Sequence, residues 1–137
     1  MSKSRKRWIY SPPKPAKPKV PESTKLEVSK AAEKLVETFL KPTYVQPPPA
    51  DERFNYIVDI TTKWYHSYFY FSATYACPGP DALSPSFESK FARLEYAGYG
   101  RFHLSFMRYT GEWIELYQGL LLDECLKAIQ EGMHFQP

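Results

Sequence analysis

The sequence predicts an α+β fold: a five-stranded antiparallel meander sheet with an N-terminal and a C-terminal helix, preceded by a basic, proline-rich arm. Three observations point there. Eighteen of the 23 aromatic residues lie within 54–118 and recur with a period near two, the spacing of strands. Apolar residues at helical spacing flank that stretch, at Val28, Ala32, Leu35, Val36, Phe39 and Leu40 and again at Leu122, Cys125, Leu126 and Ile129. Short turns separate the candidate strands, so neighbours pair antiparallel in chain order.

Residues 1–21 contain five prolines, which fix φ and cannot donate to a ladder, so this arm is expected to be extended or disordered. Residues 22–137 form the expected single domain. Pro21 is placed to open a helix over about 22–41, where a missing N–H costs nothing, and Pro42 to stop it. Pro47-Pro48-Pro49 stiffens a connector over 42–50. The sheet spans 54–118. Phe54, Tyr56, Val58 and Ile60 alternate with polar residues in a first strand, and Trp64–Ser67 turns. Residues 68–76 are apolar on both faces, as an interior strand should be. Cys77-Pro78-Gly79-Pro80 breaks that strand, and a loop runs to about Ser86. A third strand follows near 88–96, then a turn at Ala97–Gly100. Phe102, Leu104 and Phe106 alternate in a fourth, and Thr110-Gly111 turns into a fifth, Trp113 to Gln118. Asp123 is suited to cap a last helix over about 123–131, and Gly132 sits where a left-handed C′ glycine belongs.

The net charge of +3 conceals a division. Residues 1–21 hold Lys3, Arg5, Lys6, Arg7, Lys14, Lys17 and Lys19 and no acid, a charge of +7. The other 11 basic and 15 acidic residues leave the body at −4. That excludes a uniformly basic nucleic-acid-coating protein and an acidic tail. Two cysteines make no disulfide framework, and no C-x-x-C is present. Reduced cysteines fit a cytoplasmic protein. The basic start runs into Pro12 and Pro13 without an apolar signal core, and no stretch nears the ~20 apolar residues of a membrane span, so no membrane contact is expected.

The arm is the leading candidate for function. Its cations, with Trp8 and Tyr10 between them, can meet phosphates while the rings stack on bases; the plain alternative is a solvated tail. The aromatic strands offer a second surface if both helices cover one face, although aromatics are also ordinary strand formers. Cys125, in the first turn of the last helix, could feel the helix dipole, but it shares the apolar stripe and reads more simply as a buried small hydrophobe. His66, His103 and His134 fall in different elements, without the spacing of a metal pair, so neither a metal nor a cofactor is implied. Asp59, His66, His103 and Glu115 would make an enzyme only by converging at a sheet edge. Arg93, Glu95, Arg108 and Glu115 suit cross-strand ion pairs.

Several strings are similar to an uncharacterised family of small bacterial proteins, a domain of unknown function. They include Phe54-Asn55-Tyr56-Ile57-Val58-Asp59, Thr62-Lys63-Trp64-Tyr65, Tyr68-Phe69-Tyr70-Phe71, Cys77-Pro78-Gly79-Pro80 and Ser84-Pro85-Ser86-Phe87-Glu88. Lys90-Phe91-Ala92-Arg93, Met107-Arg108-Tyr109-Thr110-Gly111 and Leu122-Asp123-Glu124-Cys125-Leu126 continue them. The resemblance implies a bacterial cytosolic origin and carries no activity and no catalytic residue. It implies a polar cap before the last helix, where this chain has Leu121-Leu122. The function expected is that of a non-enzymatic binding module, its arm touching nucleic acid or a ribonucleoprotein. A dimerising or protein-interaction subunit, and a small enzyme with a sheet-edge site, are the rivals.

Overall fold

The computed structural model describes residues 17–137. Lys3, Arg5, Lys6, Arg7, Trp8, Tyr10 and Lys14, and the expectation of an extended or disordered arm, lie outside the described residues. The architecture is α+β. Strands β1 (Tyr56–Tyr65), β2 (Tyr68–Ala76), β3 (Ser86–Gly98), β4 (Arg101–Met107) and β5 (Trp113–Leu121) form one antiparallel sheet in chain order. A helical stretch, Glu22–Tyr44, precedes it and a helix at Leu122–Glu131 follows.

Both helices lie on the same face of the sheet. Val28, Ala32, Leu35 and Leu40 from the first and Cys125 and Ile129 from the last share one core with Ile60, Phe69, Phe71, Leu94 and Leu104. Phe135, in a short 3-10 turn after the last helix, fills the same core. Burial of these apolar side chains is the main stabilising term, at about 25 cal/mol per Å² removed from water.

Several boundaries differ from the sequence expectation, each for a local reason. The first helix does not stop at Pro42. It runs as α1 (Glu22–Leu35), widens to a π-turn at Val36–Leu40, and resumes as α2 (Lys41–Tyr44) with Pro42 inside it. Proline has no N–H for the carbonyl four residues back, and its ring crowds that carbonyl. The wider winding, with the Lys41 N–H bonded to the Val36 carbonyl, accommodates both. Pro21 flanks the helix with extended ψ and accepts from the Lys25 N–H, one position earlier than expected.

β1 begins at Tyr56, and its alternation slips between Ile57 and Asp59, where a bulge lets Val58 face solvent while Ile57 and Ile60 are buried. The β1–β2 turn is only His66-Ser67, with His66 at φ 55°. β3 runs from Ser86 to Gly98, so its turn is only Tyr99-Gly100, both at positive φ as two-residue hairpins demand. β5 continues past Gln118 to Leu121.

The last helix, α3 (Leu122–Glu131), starts one residue before Asp123. Glu124 closes its N-terminus by accepting the Leu121 N–H at 2.8 Å, half of a capping box without a polar N-cap. Gly132 is not left-handed: its φ of −85° and ψ of 136° are extended.

Candidate functional site

Among the described residues the helices leave one sheet face open, and the alternation of β2 decides what it shows. Phe69 and Phe71 point to the core, so Tyr68 and Tyr70 point away from it. Register places Tyr70 opposite Arg93 and Arg93 opposite Ser105, with Glu115 beyond on β5. Arg93 packs its guanidinium between two rings, 4.5 Å from the centroid of Tyr68 and 4.7 Å from that of Trp113. Trp113 in turn lies 5.8 Å from Tyr70, and Tyr70 6.0 Å from Tyr68. Ser105 is buried although, among the described residues, no helix covers this face.

The layer is a cation–aromatic cluster. Lys90 stands over Tyr70 at 5.5 Å. Arg93 makes no salt bridge among the described residues, and its enclosed Nε has no hydrogen-bond acceptor. The expected cross-strand pairing of Arg93 with Glu95 or Glu115 is therefore absent, because the rings take the guanidinium. Glu95 pairs instead with Lys17, at 3.0 Å, and Glu115 accepts from Gln118 at 2.6 Å. Beside the cluster, Thr61, Lys63, Tyr65, Tyr70, Ser72 and Lys90 border an open concavity of about 440 Å³. Tyr65 is 58% exposed.

Of the arm's cations only Lys17 and Lys19 are described. Lys19 is exposed. Lys17 donates to the Tyr68 hydroxyl as well as pairing with Glu95, and these partners hold its ammonium above the usual lysine range. Val20 is buried in the core, and Pro18 lies 3.5 Å from where a Cβ on Gly98 would stand. The arm thus joins the body on the helix-free face, beside the ring layer. By register that face carries Lys17, Lys63, Lys90, Arg93 and Arg101 against Asp59, Glu88, Glu95 and Glu115, a balance of +1. Seven of the body's acids lie instead in the helical stretch Glu22–Tyr44 and in α3. Five lysines, Lys25, Lys30, Lys34, Lys41 and Lys127, accompany them, so the helices carry −2, half of the body's −4.

Sequence reasoning pointed to the aromatic sheet but missed this cluster. The outward positions of Tyr68 and Tyr70 follow from alternation. The reach of Trp113 across β4 has no signature in sequence.

The other candidates do not converge. Asp59 is on edge strand β1, 3.4 Å from Lys41. His66 occupies the β1–β2 turn. His103 on β4 accepts the Gly119 N–H at Nδ1, at 3.1 Å, and Glu115 is on the opposite edge strand, β5. His134 stacks near Phe106, at 4.7 Å. Among the described residues no three His, Cys, Asp or Glu side chains gather as a metal site, and no helix is long and apolar enough to cross a membrane.

The Cys77–Pro85 loop and Phe87 border a second open concavity, of about 520 Å³, with Cys77 in its wall. Cys125 is wholly buried, and burial, with Glu124 adding to it, pushes its thiol up to about 12. The thiolate is the reactive form. At pH 8 a thiol reagent should therefore label one cysteine, Cys77, in the native protein and two in denaturant. Mass spectrometry of the labelled peptides checks this; native labelling of Cys125 would contradict the burial.

No curated protein and no solved structure matches the chain. A family model does match, over residues 20–137, from the residue where the buried core begins to the last residue. The chain belongs to that family, the domain of unknown function DUF3024.

Proposed function

We propose that the protein is a non-enzymatic binding module whose basic arm contacts nucleic acid. The observation that carries this reading is where the arm begins: Lys17 is fixed beside Tyr68 and Glu95 on the helix-free face. The chain thus leaves the body at Lys17 on the face where Lys63, Lys90 and Arg93 stand, and residues 1–21 carry seven positive charges and no acid. Cations on an extended chain meet successive phosphates and release the counterions condensed on them. No chemistry on the bound strand is included, since Asp59, His66, His103 and Glu115 stand apart.

The test is salt dependence. If all seven cations met phosphates, the log–log slope of affinity against salt would approach about −6 on a duplex. Lys3, Arg5, Lys6, Arg7 and Lys14 can be changed together to Gln in the full chain. These positions leave Val20 in the core and Lys17 on Tyr68, which truncation at residue 21 would not. The slope should become shallower by about 4. An unchanged slope, or no binding of RNA or DNA even at low salt, would refute the reading.

A further inference from the structure

We infer that the helix-free sheet face is a platform for unpaired bases, so that the strand taken by the arm is a single-stranded nucleic acid. The inference rests on the arm's reading as a nucleic-acid contact and narrows its ligand. Four observations support it.

The first is chemical. Tyr65, Tyr70 and Trp113 present rings on a face that no helix covers, and a base can stack on a ring only when its own face is free. In a duplex those faces are occupied by neighbouring bases. The second is electrical. Lys63 and Lys90 outnumber the one carboxylate, Glu88, around the concavity beside Tyr70, and among the described residues Arg93 meets ring faces and no carboxylate. A phosphate has the sign and the acceptors this arrangement lacks. A neutral sugar would leave that charge unanswered, and a second copy laid face to face would bring one Arg93, without a carboxylate partner among the described residues, toward another.

The third is size. The concavity of about 440 Å³ falls within the ~300–1,000 Å³ of ordinary ligand sites. The fourth is continuity. Lys17 lies beside Tyr68, and Tyr68 beside Arg93. A strand that meets Lys17 would therefore reach the rings without crossing the helical side.

The tryptophans provide the readout. Trp8, Trp64 and Trp113 are the three in the chain, and Trp64 is held on the helix side by its Nε1–H donating to the Lys25 carbonyl at 3.2 Å. In the full chain carrying Trp8→Phe, oligothymidylate of about twelve nucleotides, within the ~4–16 of a single-strand site, should quench the fluorescence. The same titration on Trp8→Phe/Trp113→Phe should show no quenching. Tyr65→Ala and Trp113→Leu should each weaken oligothymidylate binding about tenfold, without weakening binding of the matching duplex. Tyr65 is exposed enough that its loss should leave the fold intact, which keeps the test valid if Trp113→Leu fails to fold; circular dichroism checks both.

Equal affinity for single strand and duplex, with both face variants silent, would overturn this inference and leave the arm's reading standing. A salt slope unaffected by the arm substitutions, with both face variants weakened, would do the reverse. A concentration-dependent dimer in high salt with Trp113 unresponsive to the oligonucleotide would mean that a second copy occupies the face, and would also overturn it.

Discussion

Replacing Phe71 by Ala should cost about 3–5 kcal/mol of stability, the range for a phenylalanine removed from a core. Phe71 is fully buried on an interior strand, with Thr62 opposite on β1 and Ala92 on β3. Its ring meets Phe69 edge-on at 5.5 Å and Phe91 at 6.1 Å. Small neighbours on β3 cannot close the void. Ala92 has nothing to extend, and Phe91 already stands out of register at the β2–β3 bulge, between the pairs Phe71–Ala92 and Ser72–Lys90. A domain of this size has about 5–15 kcal/mol in total, so roughly a fifth or more would go. With m of about 1–3 kcal/mol per molar urea, the midpoint should fall by one to several molar. A loss below about 1 kcal/mol would mean that the site collapses around the gap, and that Ala92 and Phe91 do not hold the void open. Tyr65→Ala, on the open face, should change stability by no more than about 0.5 kcal/mol in the same measurement.

Phe71 also shows how far sequence reaches. The string Tyr68-Phe69-Tyr70-Phe71 told of an interior strand because both of its faces are apolar, and strand order followed from short turns. Bulges were illegible. Val58 sits in a perfect alternation with Tyr56 and Ile60, yet it is itself the extra residue between the pairs Ile57–Tyr75 and Asp59–Thr74, and it faces outward. A period-two pattern carries no mark of an added residue until the partner strand is known. Pro42 misled for a related reason: proline ends a helix only if the helix keeps α winding, and the Val36–Leu40 π-turn removes that condition. At the candidate site the local alternation was readable, but Arg93 looked like half of a cross-strand ion pair. Its actual partners, Tyr68 and Trp113, arrive by diagonal and two-strand reach, which depends on rotamers. The +7 arm was legible as charge, and its attachment through Lys17 was not.

Replacing Gly132 by Ala is the other substitution expected to be severe, and its cause is not the one glycine at a helix end usually suggests. With extended φ and ψ, alanine fits the backbone conformation. The obstacle is space. A Cβ there would stand 2.6 Å from the Ala128 carbonyl oxygen, which the Gly132 N–H itself bonds at 2.7 Å. It would also stand 3.1 Å from the Phe135 ring. The carbonyl belongs to the helix and cannot yield without loosening the last turn of α3. The other response is for the Met133–Phe135 turn to move outward, drawing Phe135 from the core it shares with the helices and the sheet. Overpacking of this kind costs about 1–3 kcal/mol, and exposing the phenylalanine would add to it. A cycle with Phe135→Leu separates the two responses. If Phe135 is what moves, Gly132→Ala should cost less in the Phe135→Leu background than in the parent, since the smaller side chain leaves room. Strict additivity would place the strain in the helix carbonyl instead.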